Sequence, residues 1–250
     1  MRNREIEFAR PRDGVWVRWF PSQGYLVTPG LRGPGWKASR LACADMLAPG
    51  ELVRDGDVVV EVGAGTGTET VFLSRSVGNT GTVIAVEAHP TTAVCLQETI
   101  SLNRCENVRL VQVALSGSGD PVHLTTGRGV SGLANRIDAG EGGVSVAGGT
   151  LMDIVRQQGL HQIDLLKMNI EGAELDVLRG SLTTLDQVRR VMISCHDFAM
   201  GDDPGIPPTF DATRSLLKDA GFRVVTRPDH PQPWMRNYVY GYREALSAPS

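Results

Sequence analysis

VVVEVGAGTGTETVFL, residues Val58 to Leu73, is the stretch that decides the fold. Three valines run into Glu61, Gly63, Gly65 and Gly67 alternate behind it, and Glu69 to Ser76 continues with an apolar spacing compatible with a helix. A buried strand, a glycine turn and a helix follow from that order. Glycines let the backbone take unusual φ values and let a ligand lie against bare peptide. The new helix aims unpaired N–H groups and its positive dipole end at the same point. The stretch reads as a polar cofactor site, with an ordinary tight turn as the alternative.

A dinucleotide fingerprint, G-x-G-x-x-G/A, needs glycine or alanine where Thr68 stands, so the close helix–strand packing of that motif is not specified. The spacing here is E-x-G-x-G-x-G, with Glu61 two residues ahead of the first glycine. It resembles motif I of class I S-adenosylmethionine (SAM) methyltransferases. That resemblance implies a cofactor site at Glu61, Gly63, Gly65 and Gly67, with the glycine turn accommodating the methionine part. The next strand, VIAVE (Val83 to Glu87), ends in an acid placed to hydrogen-bond ribose hydroxyls. Glu87 is the expected ribose ligand.

At 250 residues, with 41% hydrophobic and 21% charged residues, the chain suits one sizeable α/β domain with an ordinary core. A net charge of −3 and the lack of a basic run disfavour a nucleic acid held by its phosphates. No apolar segment approaches membrane-spanning length and the N-terminus lacks the apolar core of a signal peptide, so a cytoplasmic protein is expected. Cys43, Cys95, Cys105 and Cys195 include no C-x-x-C pair, which makes them small buried hydrophobes rather than a zinc or disulfide frame. Twenty-two arginines against three lysines suggest a GC-rich bacterial genome.

Residues 1–50 form an N-terminal cover segment carrying Trp16, Trp19, Phe20, Tyr25 and Trp36. Its aromatics either cover the cofactor or contact substrate, or belong to strands packed on the domain edge. Lys37 to Leu47 reads as a helix stopped near Pro49-Gly50. Over 51–244, helices at Thr91–Asn103, Thr150–Gln158, Ala173–Leu182 and Asp211–Ala220 alternate with strands at Val108–Val113, Ile163–Ile170, Val188–Cys195 and Phe222–Thr226; Asn237–Tyr242 is a last strand. The alternation predicts a doubly wound, Rossmann-like, mostly parallel α/β sheet with right-handed crossovers and an antiparallel closing strand. Ala114 and Ser116 lie at a strand end, where adenine commonly rests in this architecture. Gly117 to Gly149 holds ten glycines and reads as a hairpin insertion, and 245–250 as a flexible tail.

In IDLLKMNIEGAELDVLRG, Ile163 to Gly180, a buried strand delivers Lys167, Asn169 and Glu171 to its carboxyl end, the ligand-binding edge of an open α/β sheet. Here the chain resembles the FkbM-like methyltransferases. Their K-x-D-x-E-G-x-E run and L-x-G helix end are matched by Lys167, Glu171, Gly172, Glu174, Leu178 and Gly180. VEAHP, ALSGSGD and TLMDIV upstream look like the family's neighbouring motifs, so the resemblance covers roughly Asp55 to Ser194. It implies SAM-dependent methyl transfer, usually to a hydroxyl of a sugar, polyketide or other small natural product. Asn169 departs from the pattern, which has aspartate there. An amide neither attracts Mg²⁺ nor abstracts a proton as a carboxylate does, so no metal is expected. Lys167 and Asn169 are catalytic candidates, with a structural ion pair as the alternative for Lys167. Glu171 is either an acidic substrate contact or a turn-and-cap element.

SCHDF, Ser194 to Phe198, puts His196 at the next strand end as a candidate base, with Asp197 as a substrate contact. Ala199 to Thr209 is a candidate loop to close over the acceptor, and His230 and Trp234 are either pocket residues or a surface loop. The expectation is a SAM-dependent O-methyltransferase acting on a small-molecule acceptor. Two alternatives are an NAD-dependent oxidoreductase, sharing the sheet and Glu87 but disfavoured by Thr68, and a catalytically silent SAM-binding partner protein, allowed by Asn169.

Overall fold

Strands buried on both faces alternate with helices in the computed structural model, which describes residues 8–21, 23–31, 35–126, 135–137, 144–197 and 208–243. First come β1 (Phe8–Arg12), β2 (Val15–Phe20), β3 (Gly24–Thr28) and α1 (Trp36–Leu47). Then β4 (Val58–Val62), α2 (Thr68–Val77), β5 (Thr82–Val86), α3 (Pro90–Leu102) and β6 (Val108–Val111) build one half of the main sheet. β7 (Ala114–Leu115) precedes the insertion, which holds β8 (Val122–Thr126), β9 (Asn135–Ile137), β10 (Val144–Val146) and β11 (Gly148–Gly149). The second half is α4 (Leu151–Gln158), β12 (Ile163–Met168), α5 (Glu174–Gly180), β13 (Val188–Ser194), α6 (Phe210–Asp219), β14 (Arg223–Thr226) and β15 (Tyr238–Tyr242).

Seven strands form the main sheet in the order β14-β15-β13-β12-β4-β5-β6. Neighbours from β13 to β6 run parallel, and β15 is antiparallel to both β13 and β14. The doubly wound class expected from the alternation is therefore present. Its antiparallel strand lies inside the sheet, between β13 and β14, rather than at an edge.

Successive residues of each central strand face opposite layers. Val60, Val62, Leu166 and Met168 pack with α4, α5 and α6, whereas Val59, Leu165 and Met192 pack with Cys43 and Met46 of α1 and Leu73 and Val77 of α2. Helices on both faces explain why the strands read as apolar runs. Glu61 and Lys167 interrupt those runs on the α1–α2 side, opposite each other in the β4–β12 register. The chain winds outward from β4 to β6 and returns to β12, so the switch point lies between β4 and β12, where a ligand crevice forms at the strand ends.

Three local differences from the sequence expectation have physical causes. β12 stops at Met168: Asn169 still donates its N–H to Val62 O at 3.0 Å, but Ile170 N–H goes to the Glu174 carboxylate at 3.1 Å and the chain peels away. The strand expected over Val108–Val113 stops at Val111, and β7 beyond it pairs in parallel with β11, closing the base of the insertion instead of extending the main sheet. Within the insertion a three-stranded antiparallel sheet, β10-β8-β9, stands where a hairpin was expected, and 127–134 and 138–143 lie outside the described residues.

The N-terminal strands pack on the domain edge. Val27 N–H donates to Thr99 Oγ1 at 3.0 Å, Asn103 pairs with both the N–H and the carbonyl of Tyr25, and Val15, Val17 and Val27 cluster with Cys95. All four cysteines are free and buried. Among the described residues no helix is long and apolar enough to cross a membrane. The tail 245–250 and most of the 199–209 loop fall outside those residues.

Candidate active site

The glycine turn after β4 forms the floor of a cavity of about 280 Å³. Gly63, at φ +78°, lies so close to the next strand end that a Cβ there would overlap the Asn169 carbonyl oxygen, so only glycine lets β4 and β12 meet. Gly65, at φ +57°, is the opposite case. A Cβ there would meet nothing within 4 Å, which leaves bare peptide facing the cavity. Gly67, at φ +93°, lies outside the lining; it lets α2 start against Leu96 and Thr99 of α3.

Across the turn stands Glu87, 7% exposed, with Oε2 accepting from Gly65 N–H and Oε1 from His89 N–H, each at 2.9 Å. Burial raises its pKa, opposed by those backbone hydrogen bonds. A carboxylate offers about four lone-pair directions, more than these backbone bonds occupy, which leaves room for a hydroxyl. Val113, Ala114, Leu115 and Leu124 give the cavity an apolar flank. An acid that accepts hydroxyls, an apolar flank for a flat base and exposed peptide at Gly65 are the donor set and space that SAM requires, so the residues fit this cofactor.

Glu61 is not in the lining. It is fully buried, 3.2 Å from Lys167 Nζ, and accepts from the Thr70 hydroxyl at 2.6 Å. Burial pushes its pKa up and the Lys167 charge pulls against that. Lys167, also buried, lies 2.5 Å from Glu69 as well. Burial would lower the lysine pKa, but the two glutamates outweigh it and hold the ammonium charged. A charged ammonium cannot accept a proton; its structural effect is to hold Glu69 at the start of α2.

Glu69 belongs to two cavities. A second one, about 700 Å³, shares Thr68, Glu69, Asn169 and Glu171 with the first and extends under α1 to Cys43, Met46, Ser194, His196, Trp234 and Tyr238. The Asn169 side-chain oxygen is buried at this seam without a hydrogen-bond partner among the described residues. His196, 4% exposed, places Nδ1 2.8 Å from Glu174 Oε1 and Nε2 3.5 Å from Glu171 Oε2. Burial lowers the ring's pKa, but the Glu174 hydrogen bond and charge, with Glu171 and Asp197, outweigh it, so His196 titrates above its ordinary value.

The structure thus places Gly63, Gly65, Glu87, Ala114, Asn169 and Glu171 on the first cavity and His196 on the second. Others expected at the site face elsewhere. Ser116 turns away to accept from Gly119 N–H at 2.9 Å. Asp197 accepts from the N–H groups of Thr209 and Phe210, at 2.8 and 3.2 Å, because the first turn of α6 offers it unpaired donors. His230 lies 2.9 Å from Asp45 of α1, while Trp234 does line the second cavity. Glu69, Leu124 and the α1 wall also line the cavities, outside the residues expected from the sequence. Glu69, in the first turn after the glycines, carried a signal; Leu124 and α1 depend on packing.

The sequence profile of the methyltransferase FkbM domain matches residues 61–224. Methyltransferase sdnD of Sordaria araneosa is 28% identical over 200 residues, covering 67% of this chain and 74% of that protein. The AMB antimetabolite synthetase AmbE of Pseudomonas aeruginosa is 38% identical over 80 residues, 32% of this chain and 4% of its own length. In fold, the chain is similar to Aeropyrum pernix fibrillarin solved with S-adenosyl-L-methionine, at a TM-score of 0.52, 16% identity and coverage of 95% of this chain and 98% of that one.

Proposed function

For a chain that belongs to the FkbM methyltransferase domain family, and is thus a SAM-dependent methyltransferase, we propose methylation of a hydroxyl on a small natural product in secondary metabolism. The observation that carries this reading is the pair of adjoining cavities with Thr68, Glu69, Asn169 and Glu171 in their common wall. When bound in the first, SAM supplies an electrophilic methyl on a sulfonium, whose C–S bonding pair stays on sulfur as the methyl leaves. Gly65 and Glu87 hold the cofactor, Ala114 and Leu124 flank its base, and the second cavity aligns the acceptor oxygen.

His196 is the group that takes the acceptor's proton, and Asn169 and Glu171 orient the hydroxyl at the seam. The uncharged Asn169 amide at that seam supports proton removal without a metal. Lys167 acts indirectly, by fixing Glu69. The similarity to AmbE, an antimetabolite synthetase, supports a natural-product setting. The test is incubation with SAM and a panel of hydroxyl-bearing sugars and polyketides. Fragment masses that put the new methyl on oxygen support the reading, and methyl on nitrogen or carbon refutes it.

A further inference from the structure

His196 is the end of a longer arrangement, of which the acceptor reading leaves Glu174 unused. Glu174, in the first turn of α5, is wholly buried, and its Oε1 already accepts the Ile170 N–H at 3.1 Å. A backbone N–H can only donate, so this oxygen is an acceptor, and the imidazole nitrogen 2.8 Å away fits it as a donor. The neutral ring then carries its hydrogen on Nδ1 and its lone pair on Nε2. On the Nε2 side stands Glu171, in the left-handed region at φ +52° and followed by Gly172 at φ +96°. A glycine at 171 would relieve that strain, and the position instead carries a carboxylate aimed at the ring, which is where strain points to function.

We propose that Glu174 and Glu171 act together as positioning residues for His196. Glu174 fixes the Nδ1–H tautomer, and Glu171 is the counter-ion that stabilises the ring once Nε2 has taken the acceptor's proton. The inference rests on the reading that the second cavity takes the acceptor. As the acceptor O–H bond breaks, its proton goes to Nε2 and the freed oxygen pair forms the new O–C bond. The imidazolium is held between two carboxylates on opposite edges of the ring. Asp197, adjacent in the chain, adds a third negative charge, and Glu69 and Tyr238 line the same cavity.

The experiment uses the full chain labelled with [¹⁵N]histidine and saturated with S-adenosylhomocysteine, followed by long-range ¹H–¹⁵N correlation across pH. His196→Gln identifies the resonance among the five histidines. The expected result is a neutral His196 protonated on Nδ1. Its titration midpoint should fall by about one to three pH units in Glu174→Gln and by less in Glu171→Gln. A wild-type ring protonated on Nε2 overturns the proposal without any variant, so it stays falsifiable if Glu174→Gln does not fold. An unmoved midpoint in folded Glu174→Gln also overturns it, because a carboxylate that only caps a helix leaves the ring's titration alone. No acceptor enters these readings. A His196→Gln protein that keeps wild-type kcat overturns the proton-transfer role separately, with the tautomer measurement intact.

Discussion

Replacing Lys167 with methionine keeps the length of the side chain and removes its charge from between two carboxylates. The ammonium lies 3.2 Å from Glu61 and 2.5 Å from Glu69, whose side chains are 0% and 27% exposed. Glu69 can turn to water, so its share of the loss is small. Glu61 cannot. Stranding one partner of a buried pair costs about 3–5 kcal/mol. The Thr70 hydroxyl, still donating at 2.6 Å, offsets part of this and places Lys167→Met at the lower end of that range. Against the roughly 5–15 kcal/mol that holds a domain folded, such a loss is large. The sign with pH follows from Glu61, whose folded pKa burial already raises and the substitution raises further. An acid with a raised folded pKa binds more protons when folded, so the deficit shrinks as pH falls and grows as pH rises through that pKa. Urea unfolding of wild type, Lys167→Met and Glu61→Gln/Lys167→Met measures it, and the double variant should recover most of the loss because no lone charge remains buried. A single variant losing under about 1 kcal/mol, the worth of a surface pair, or a double variant no more stable than the single, refutes the buried-cluster account.

Glu87→Ala should weaken S-adenosylhomocysteine binding by about 1–3 kcal/mol in calorimetry, the cost of lost hydrogen bonds to a bound ligand; unchanged affinity removes Glu87 from the ribose contact. Because a histidine base works only when neutral and the surrounding carboxylates raise its pKa, kcat should fall as pH drops through a midpoint above 6.5. His196→Ala should lower kcat by about 10²–10⁴ with little change in cofactor affinity, and a wild-type kcat in that variant would leave the histidine a packing residue. Turnover should survive EDTA, since the seam presents an amide where the family pattern has an acid; activity lost to EDTA and restored by Mg²⁺ would overturn metal-free catalysis.

The fold was legible because its signals are local. Alternating buried strands and helices predict a doubly wound sheet, and the glycine spacing at Gly63 and Gly65 reports two different close approaches within one turn. Glu87 and Ala114 could be placed at the cavity for a related reason, since each stands at or just beyond a strand end on the ligand side of the sheet. What the sequence leaves out are relations between distant runs. Glu61 reads as a cofactor residue from its distance to the glycines, yet its side chain is decided by the register that sets it beside Lys167. Asp197 reads as a site residue from its place next to His196, yet the opening turn of α6 captures it. The α1 wall of the second cavity carries no motif, because Ala42, Cys43 and Met46 serve there only through the packing of α1 on α2.

The run from Lys167 to Glu174 shows why such a signature resists reading as one site. While the chain is still strand, side chains alternate, and Lys167 goes to the α1–α2 layer to neutralise Glu61. At Met168 the ladder ends and the alternation no longer governs. Asn169 then turns to the seam of the two cavities, the strained backbone at Glu171 swings its carboxylate toward His196, and Glu174 reaches back to bind both the Ile170 N–H and the same ring. One short segment therefore neutralises a buried acid, borders two ligand spaces and clamps an imidazole from a neighbouring strand. The point where the strand stops decides which residue does which.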